Sequence, residues 1–179
     1  ETIDIYEGDK RKGWKFENID IESARQVLNY DMDSYRKNYA YAWMHEGELD
    51  YAMSLFASIL EEEPEDEDAL NAMGIISFVQ SNFRDALAYF SESIEYHTSS
   101  SVGYKNRAEI YKQQQDFKNA LSDLNKAIGI DSDNPDIYIN RASLYYLLED
   151  WTNAYNDYSK AIENEIYNEE ATLYYLRAI

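Results

Sequence analysis

The stretch YKNRAEIY, residues 104–111, returns as YINRASLY at residues 138–145, with Tyr, Asn, Arg, Ala and Tyr at matching places and an offset of 34 residues. The same offset extends in both directions. Ala40, Gly74, Ala108 and Ala142 fall in one register, and Ala52, Ala86, Ala120 and Ala154 in a second. Leu49, Phe83, Phe117 and Trp151 share a third, and Phe56, Phe90, Leu124 and Tyr158 a fourth. An exact internal period makes each unit one supersecondary element that buries its apolar face against its neighbours. Four units result, spanning residues 33–66, 67–100, 101–134 and 135–168.

Within each unit the apolar and small residues recur at helical spacing twice, as in Tyr104, Ala108 and Tyr111, then Phe117, Ala120, Leu121, Leu124 and Ala127. The polar breaks EGE, SN, QD and ED between the two halves are too short for anything but a turn between antiparallel helices. A small residue at one point of each helix lets two axes approach to the short end of the usual ~8–10 Å range. The expected fold is therefore all-α, a stack of helix pairs.

The period of 34, the small residue at position 8 of each unit, the aromatic at 11 or 17, Ala at 20 and a large residue at 24 resemble the tetratricopeptide repeat. The resemblance covers residues 33–168 and implies a right-handed α-solenoid. It departs at position 32, where Pro64 of the first unit becomes Thr98, Ser132 and Ile166, so the later second helices are expected to run on further. Residues 169–179, EEATLYYLRAI, echo the start of another unit and read as a terminal helix. Its apolar edge would cap the stack poorly, so the chain is read as a fragment of a longer one, with self-association through that helix as an alternative. Residues 1–32 fall outside the period. TIDIY and GWKFENI alternate apolar and polar residues around GDKRKG and predict a hairpin or extended segment, followed by a short helix over IESARQVLNY that packs on the first repeat.

Composition narrows the function classes. With 45% hydrophobic and 15% aromatic residues the chain should fold. A net charge of −19 repels nucleic acid phosphate and anionic lipid, and neither is an expected partner. The absence of Cys removes thiol catalysis and thiolate metal sites, and fits a cytoplasmic location. HEGEL at residues 45–49 lacks the second His of a zinc peptidase and puts Gly47 in a turn. GDKRKG has no Lys-Ser/Thr ending for a phosphate loop, and DSDNPDIYINRA has Pro135, Asp136 and Ala142 where a calcium loop needs a ligand, Gly and Glu. No catalytic residue, metal or cofactor is expected. The densest charge run, EEEPEDED at residues 61–68, reads as a solvated connection favouring the next helix N-terminus.

The Arg of the repeated phrase has a companion. Arg107 and Arg141 at position 7 go with Asp123 and Asp157 at position 23, whereas units one and two carry Tyr39 with Leu55 and Met73 with Tyr89. The joint exchange of charged for apolar pairs predicts contact, with both Arg structural.

In the family, first helices line a concave groove through positions 2, 5, 6, 9, 12 and 13. The resemblance therefore implies a groove with Lys37, Asn38, Tyr41, His45, Asn71, Ile75, Phe78, Val79, Lys105, Asn106, Lys112, Asn140, Ser143 and Tyr146. Asn106 and Asn140 resemble the family residue whose amide clamps a peptide backbone. The family's clamp for acidic chaperone tails is incomplete: Lys105 and Asn140 match, Glu109 stands in place of an Asn, and Thr172 or Leu176 replaces the basic pair. An acidic tail is thus not the expected ligand. The implied function is non-catalytic, a protein-interaction module that takes a peptide or partner protein. Its alternatives are the targeting region of a larger protein or enzyme and a secretion-type chaperone for apolar segments.

Overall fold

The computed structural model describes residues 34–164 with their side chains and residues 3–7 and 10–14 as backbone strands. Strands β1 (Ile3–Glu7) and β2 (Lys10–Trp14) pair antiparallel, with Ile3 opposite Trp14 and Glu7 opposite Lys10. The second strand thus begins inside the stretch read as the connection, not at Gly13. Two residues suffice to join antiparallel strands, and such short links are the favoured hairpin closure. The short helix expected over residues 21–30 and the terminal helix over 169–179 lie outside the described residues.

Eight helices follow among the described residues. Helix α1 is described over residues 34–45. It is followed by α2 (Leu49–Glu62), α3 (Glu67–Val79), α4 (Phe83–Tyr96), α5 (Val102–Gln113), α6 (Phe117–Ile130), α7 (Pro135–Leu147) and α8 (Trp151–Asn164). The even-numbered helices begin at Leu49, Phe83, Phe117 and Trp151, in step with the repeat. The first three also end in step, at Glu62, Tyr96 and Ile130, and α8 is described as far as Asn164. The expected lengthening does not occur in units two and three, and in unit four the residues that would show it lie outside the described ones. Proline is not what stops them: the next helix must start at a fixed place in the stack, and at the shared stop the N–H groups of Glu63, His97 and Asp131 bond back to Ile59, Ser93 and Ala127.

The turns inside each unit share one device. Position 15 is left-handed throughout, occupied by Gly47 (φ 85°), Ser81 (62°), Gln115 (60°) and Glu149 (60°). Only glycine adopts this conformation without steric cost. The next residue then caps the second helix: the side chains of Asn82, Asp116 and Asp150 accept from the N–H groups of Asp85, Asn119 and Asn153. HEGEL is such a turn, and DSDNPD is a helix start in which the Asn134 side chain accepts from Asp136 N–H at 3.1 Å.

The core is a line of clusters, one at each crossing. Ala40, Ala52, Phe56 and Ile59 form the first with Ala72, Met73 and Ile76. Ala86, Phe90 and Ile110 form the next, then Ala108, Ala120, Leu124, Ala127, Ile137 and Leu144, then Ala142, Ala154 and Tyr158. The small residues in register are fully or almost fully buried, Ala40, Ala52, Ala86, Ala120 and Ala142 each at 0% exposure. Replacing Ala120 by Leu should overpack its crossing and lower stability by about 1–3 kcal/mol in a chemical denaturation experiment. An unchanged midpoint would contradict the packing.

Candidate partner-binding groove

From α2 onward each helix packs on the next in sequence, and α3 also touches α5, as α5 touches α7. No two of the second helices α2, α4, α6 and α8 touch one another. A stack whose first helices meet while its second helices spread apart is curved, with the first helices on the inside. The concave face of the described solenoid is therefore carried by α3, α5 and α7.

The repeated phrase is decoded by what it holds. Arg107 donates through Nε and Nη2 to both carboxylate oxygens of Asp123, at 2.7 and 3.0 Å, and through Nη1 to Ser91 Oγ at 3.0 Å. Arg141 does the same to Asp157, at 2.7 Å for each bond, and reaches Asn125 Oδ1 at 2.6 Å. Each guanidinium thus ties its own helix to the second helix of its unit and to the second helix of the unit before. The two tyrosines of the phrase flank it: Tyr104 and Tyr111 lie 5.8 and 5.9 Å from Arg107, and Tyr138 and Tyr145 at the same distances from Arg141. Their spacing of three and four residues from the Arg puts both rings on its face of the helix. Hydrogen bonding to the Asp raises both Arg further above their ordinary range, against the opposing effect of burial. The pairing predicted from the joint exchange is present. The third contact was legible only as a polar residue, Ser91 or Asn125, recurring at position 25.

The residues expected in the groove divide into three kinds. Some are spent on structure. Lys37 pairs with Asp66 and, at 3.5 Å, with Asp68, which raises its pKa despite burial acting the other way. Tyr41 donates to the Asp68 carbonyl at 3.3 Å and rests edge-on against Phe56; burial, then the nearby Asp68 and Asp66, push its phenol up to about 12. Asn71 is only 6% exposed, donating to Glu67 O and Ser93 Oγ, so it lies beneath the surface. Ile75 and Phe78 are half-buried against the Ala86, Phe90 and Ile110 cluster.

Others are open to solvent. Asn38 and His45 are exposed, Tyr146 is 40% exposed and edge-on to Trp151, and Val79 is 59% exposed. The third kind sits half-buried in the middle of the face. Asn106 donates to Asn71 Oδ1 at 3.4 Å, Lys112 pairs with Glu109 one turn away, and the Ser143 hydroxyl donates to the Asn140 carbonyl. Lys105 has no ion-pair partner among the described residues. Leu147, 59% exposed at the same unit position as Val79, was not singled out from sequence although the register points to it.

The acidic run has a structural use. Asp66 caps α3 by accepting from Ala69 N–H at 2.8 Å while holding Lys37. Beside it, an open cleft of about 720 Å³ is lined by Lys37, Glu63, Pro64, Glu65, Asp66, Glu67, Asp68, Tyr96 and His97. Among the described residues no group of three or more His, Cys, Asp or Glu is placed to hold a metal, and no helix is long and apolar enough to cross a membrane.

No curated protein matches the sequence. The family model for the TPR repeat matches residues 108–149, the stretch from the middle of α5 through α6 and α7. Solved structures share the architecture. One of MamA superposes with a TM-score of 0.61 at 18% identity, covering 70% of this chain and 74% of that one. A tetratricopeptide repeat protein from Parabacteroides merdae gives 0.62 at 22%, covering 81% and 60%. The first TPR of Spaghetti (RPAP3), solved bound to the HSP90 peptide SRMEEVD, gives 0.57 at 25%, covering 63% and 93%. Period, turn device, helix-pair stacking and these matches agree: the described repeats have the tetratricopeptide-repeat fold, and the family's model is matched over residues 108–149.

Proposed function

We propose that this chain is a non-catalytic interaction module whose concave face binds an extended peptide or a partner protein. The observation that carries the reading is the contrast between the two sets of conserved-register polar residues within the chain. Arg107 and Arg141 are consumed by structure, whereas Lys105, Asn106 and Asn140 remain half-buried on the inner helices with bonding capacity left over. An amide offers a donor and an acceptor together, which suits the backbone of an extended segment. Similar repeats support the reading, one of them having been solved with a peptide.

The test is affinity capture from native lysate at low and high salt, comparing the chain with a variant carrying Ala at Lys105, Asn106 and Asn140. A protein held by the parent and lost by the variant supports recognition in the groove. If both retain the same proteins at low salt and release them at high salt, the acidic outer surface is the interaction face and the reading fails.

A further inference from the structure

The most exposed aliphatic side chains among the described residues are Val79 and Leu147, both 59% exposed. They occupy the same position, 13, of units two and four, at the C-terminal ends of α3 and α7. Each has an aromatic beside it at position 12: Phe78, tilted against Phe83 at 5.8 Å, and Tyr146, edge-on to Trp151 at 5.0 Å. The intervening unit breaks the pattern, with Lys112 and Gln113 in those two places. The row therefore runs apolar, cationic, apolar along the inner helices. On α5 Lys105 lies two turns from Lys112 on the same face, with Glu109, which pairs with Lys112, between them. On that face of α5 two cations thus stand against one anion, in a chain of net charge −19.

We infer that the groove takes an extended segment bearing two apolar side chains, one for each of Val79 and Leu147, with an acidic residue between them for Lys112. This rests on the groove reading above and specifies its partner. The spacing follows from geometry: two helix-to-helix steps of ~8–10 Å span ~16–20 Å, which at ~3.3 Å per extended residue is about five or six residues. A partner helix would need its apolar residues about eleven to thirteen apart to cover the same span at ~1.5 Å per residue. The acid is a single internal side chain, so the incomplete clamp for a C-terminal carboxylate is not required.

The probe is the fluorescein-labelled peptide Leu-Ser-Glu-Ser-Ser-Ser-Leu, in which both leucines and the Glu fall on one face of an extended chain, titrated by fluorescence polarisation. Companion peptides have the leucines three or nine residues apart, or Lys for Glu, and a helix-stabilised peptide has them eleven apart. The spacing of six should bind tightest. V79S and L147S, both at exposed positions that leave the core intact, should each weaken it by about tenfold, and K112Q should abolish the preference for Glu over Lys. Equal binding at all spacings, tighter binding of the helical peptide, or no binding of any peptide at millimolar concentration overturns the inference. The variant with Ala at Asn106 and Asn140 separates the two readings. If it loses the probe while V79S and L147S keep it, the groove stands and the anchors fall.

Discussion

Replacing Arg141 by Ala is expected to destabilise the solenoid by about 3–5 kcal/mol, because it leaves the Asp157 carboxylate buried without its partner. The Asp157 side chain is 8% exposed and that of Arg141 19%. The guanidinium also holds Asn125, so its loss frees the second helix of the preceding unit as well. Arg141→Lys should recover only part of the loss, since an ammonium cannot make the two-point contact seen here. Units one and two show what a tolerated change looks like. There the corresponding places hold Tyr39 with Leu55 and Met73 with Tyr89, and Met73, Leu55 and Tyr89 lie in or against the first core cluster. Exchanging both members at once, Arg141→Met with Asp157→Tyr, should therefore cost far less than either single removal. Chemical denaturation of the two single variants and the double measures the coupling directly. A coupling energy of zero would mean the pair is a bystander.

The second large effect is expected at the crossing of α3 and α4. Phe90 is 2% exposed, and its removal by Phe90→Ala should cost about 3–5 kcal/mol. Across from it, a Cβ added at Gly74 would stand 2.4–2.8 Å from three carbons of the Phe90 ring. The ring is locked in the core, so Gly74→Ala should destabilise by about 1–3 kcal/mol. Ala in place of Gly inside a helix recovers up to about 1 kcal/mol of that. Unit three carries Ala108 with Leu124, both buried. Gly74→Ala combined with Phe90→Leu should accordingly be less damaging than the sum of the two changes. Thermal melts of the three variants decide it, and strictly additive losses would argue against a direct clash.

The helix pairs were legible because the period is exact and the turn residues differ in kind from the helices around them. Position 8 could be read as a crossing point because a small side chain has few other reasons to recur. The Arg and Asp pairing was legible because two positions change together between units. Several features were not. The stopping point of the second helices depends on the whole stack, so the loss of Pro64 at position 32 misled the reading for units two and three. In the hairpin, alternation marked apolar positions but not where pairing starts, and β2 begins three residues earlier than expected. The groove was hardest. Lys37 and Tyr41 occupy groove positions by register, yet Asp66 and Asp68 of the next unit engage them, and Asn71 is drawn under the surface by Ser93. Register places a residue on a face, but its neighbours decide whether its polar atoms remain available.

The central claim is that the inner helices, not the acidic exterior, meet the partner. The most direct measurement places a photo-crosslinking residue singly at Gln113 and Ser143 on the inner helices, and at Lys118 and Asn156 on α6 and α8, then irradiates each variant with the captured partner bound. Crosslinks from Gln113 and Ser143 alone are the predicted result. Crosslinks confined to Lys118 and Asn156 would contradict it.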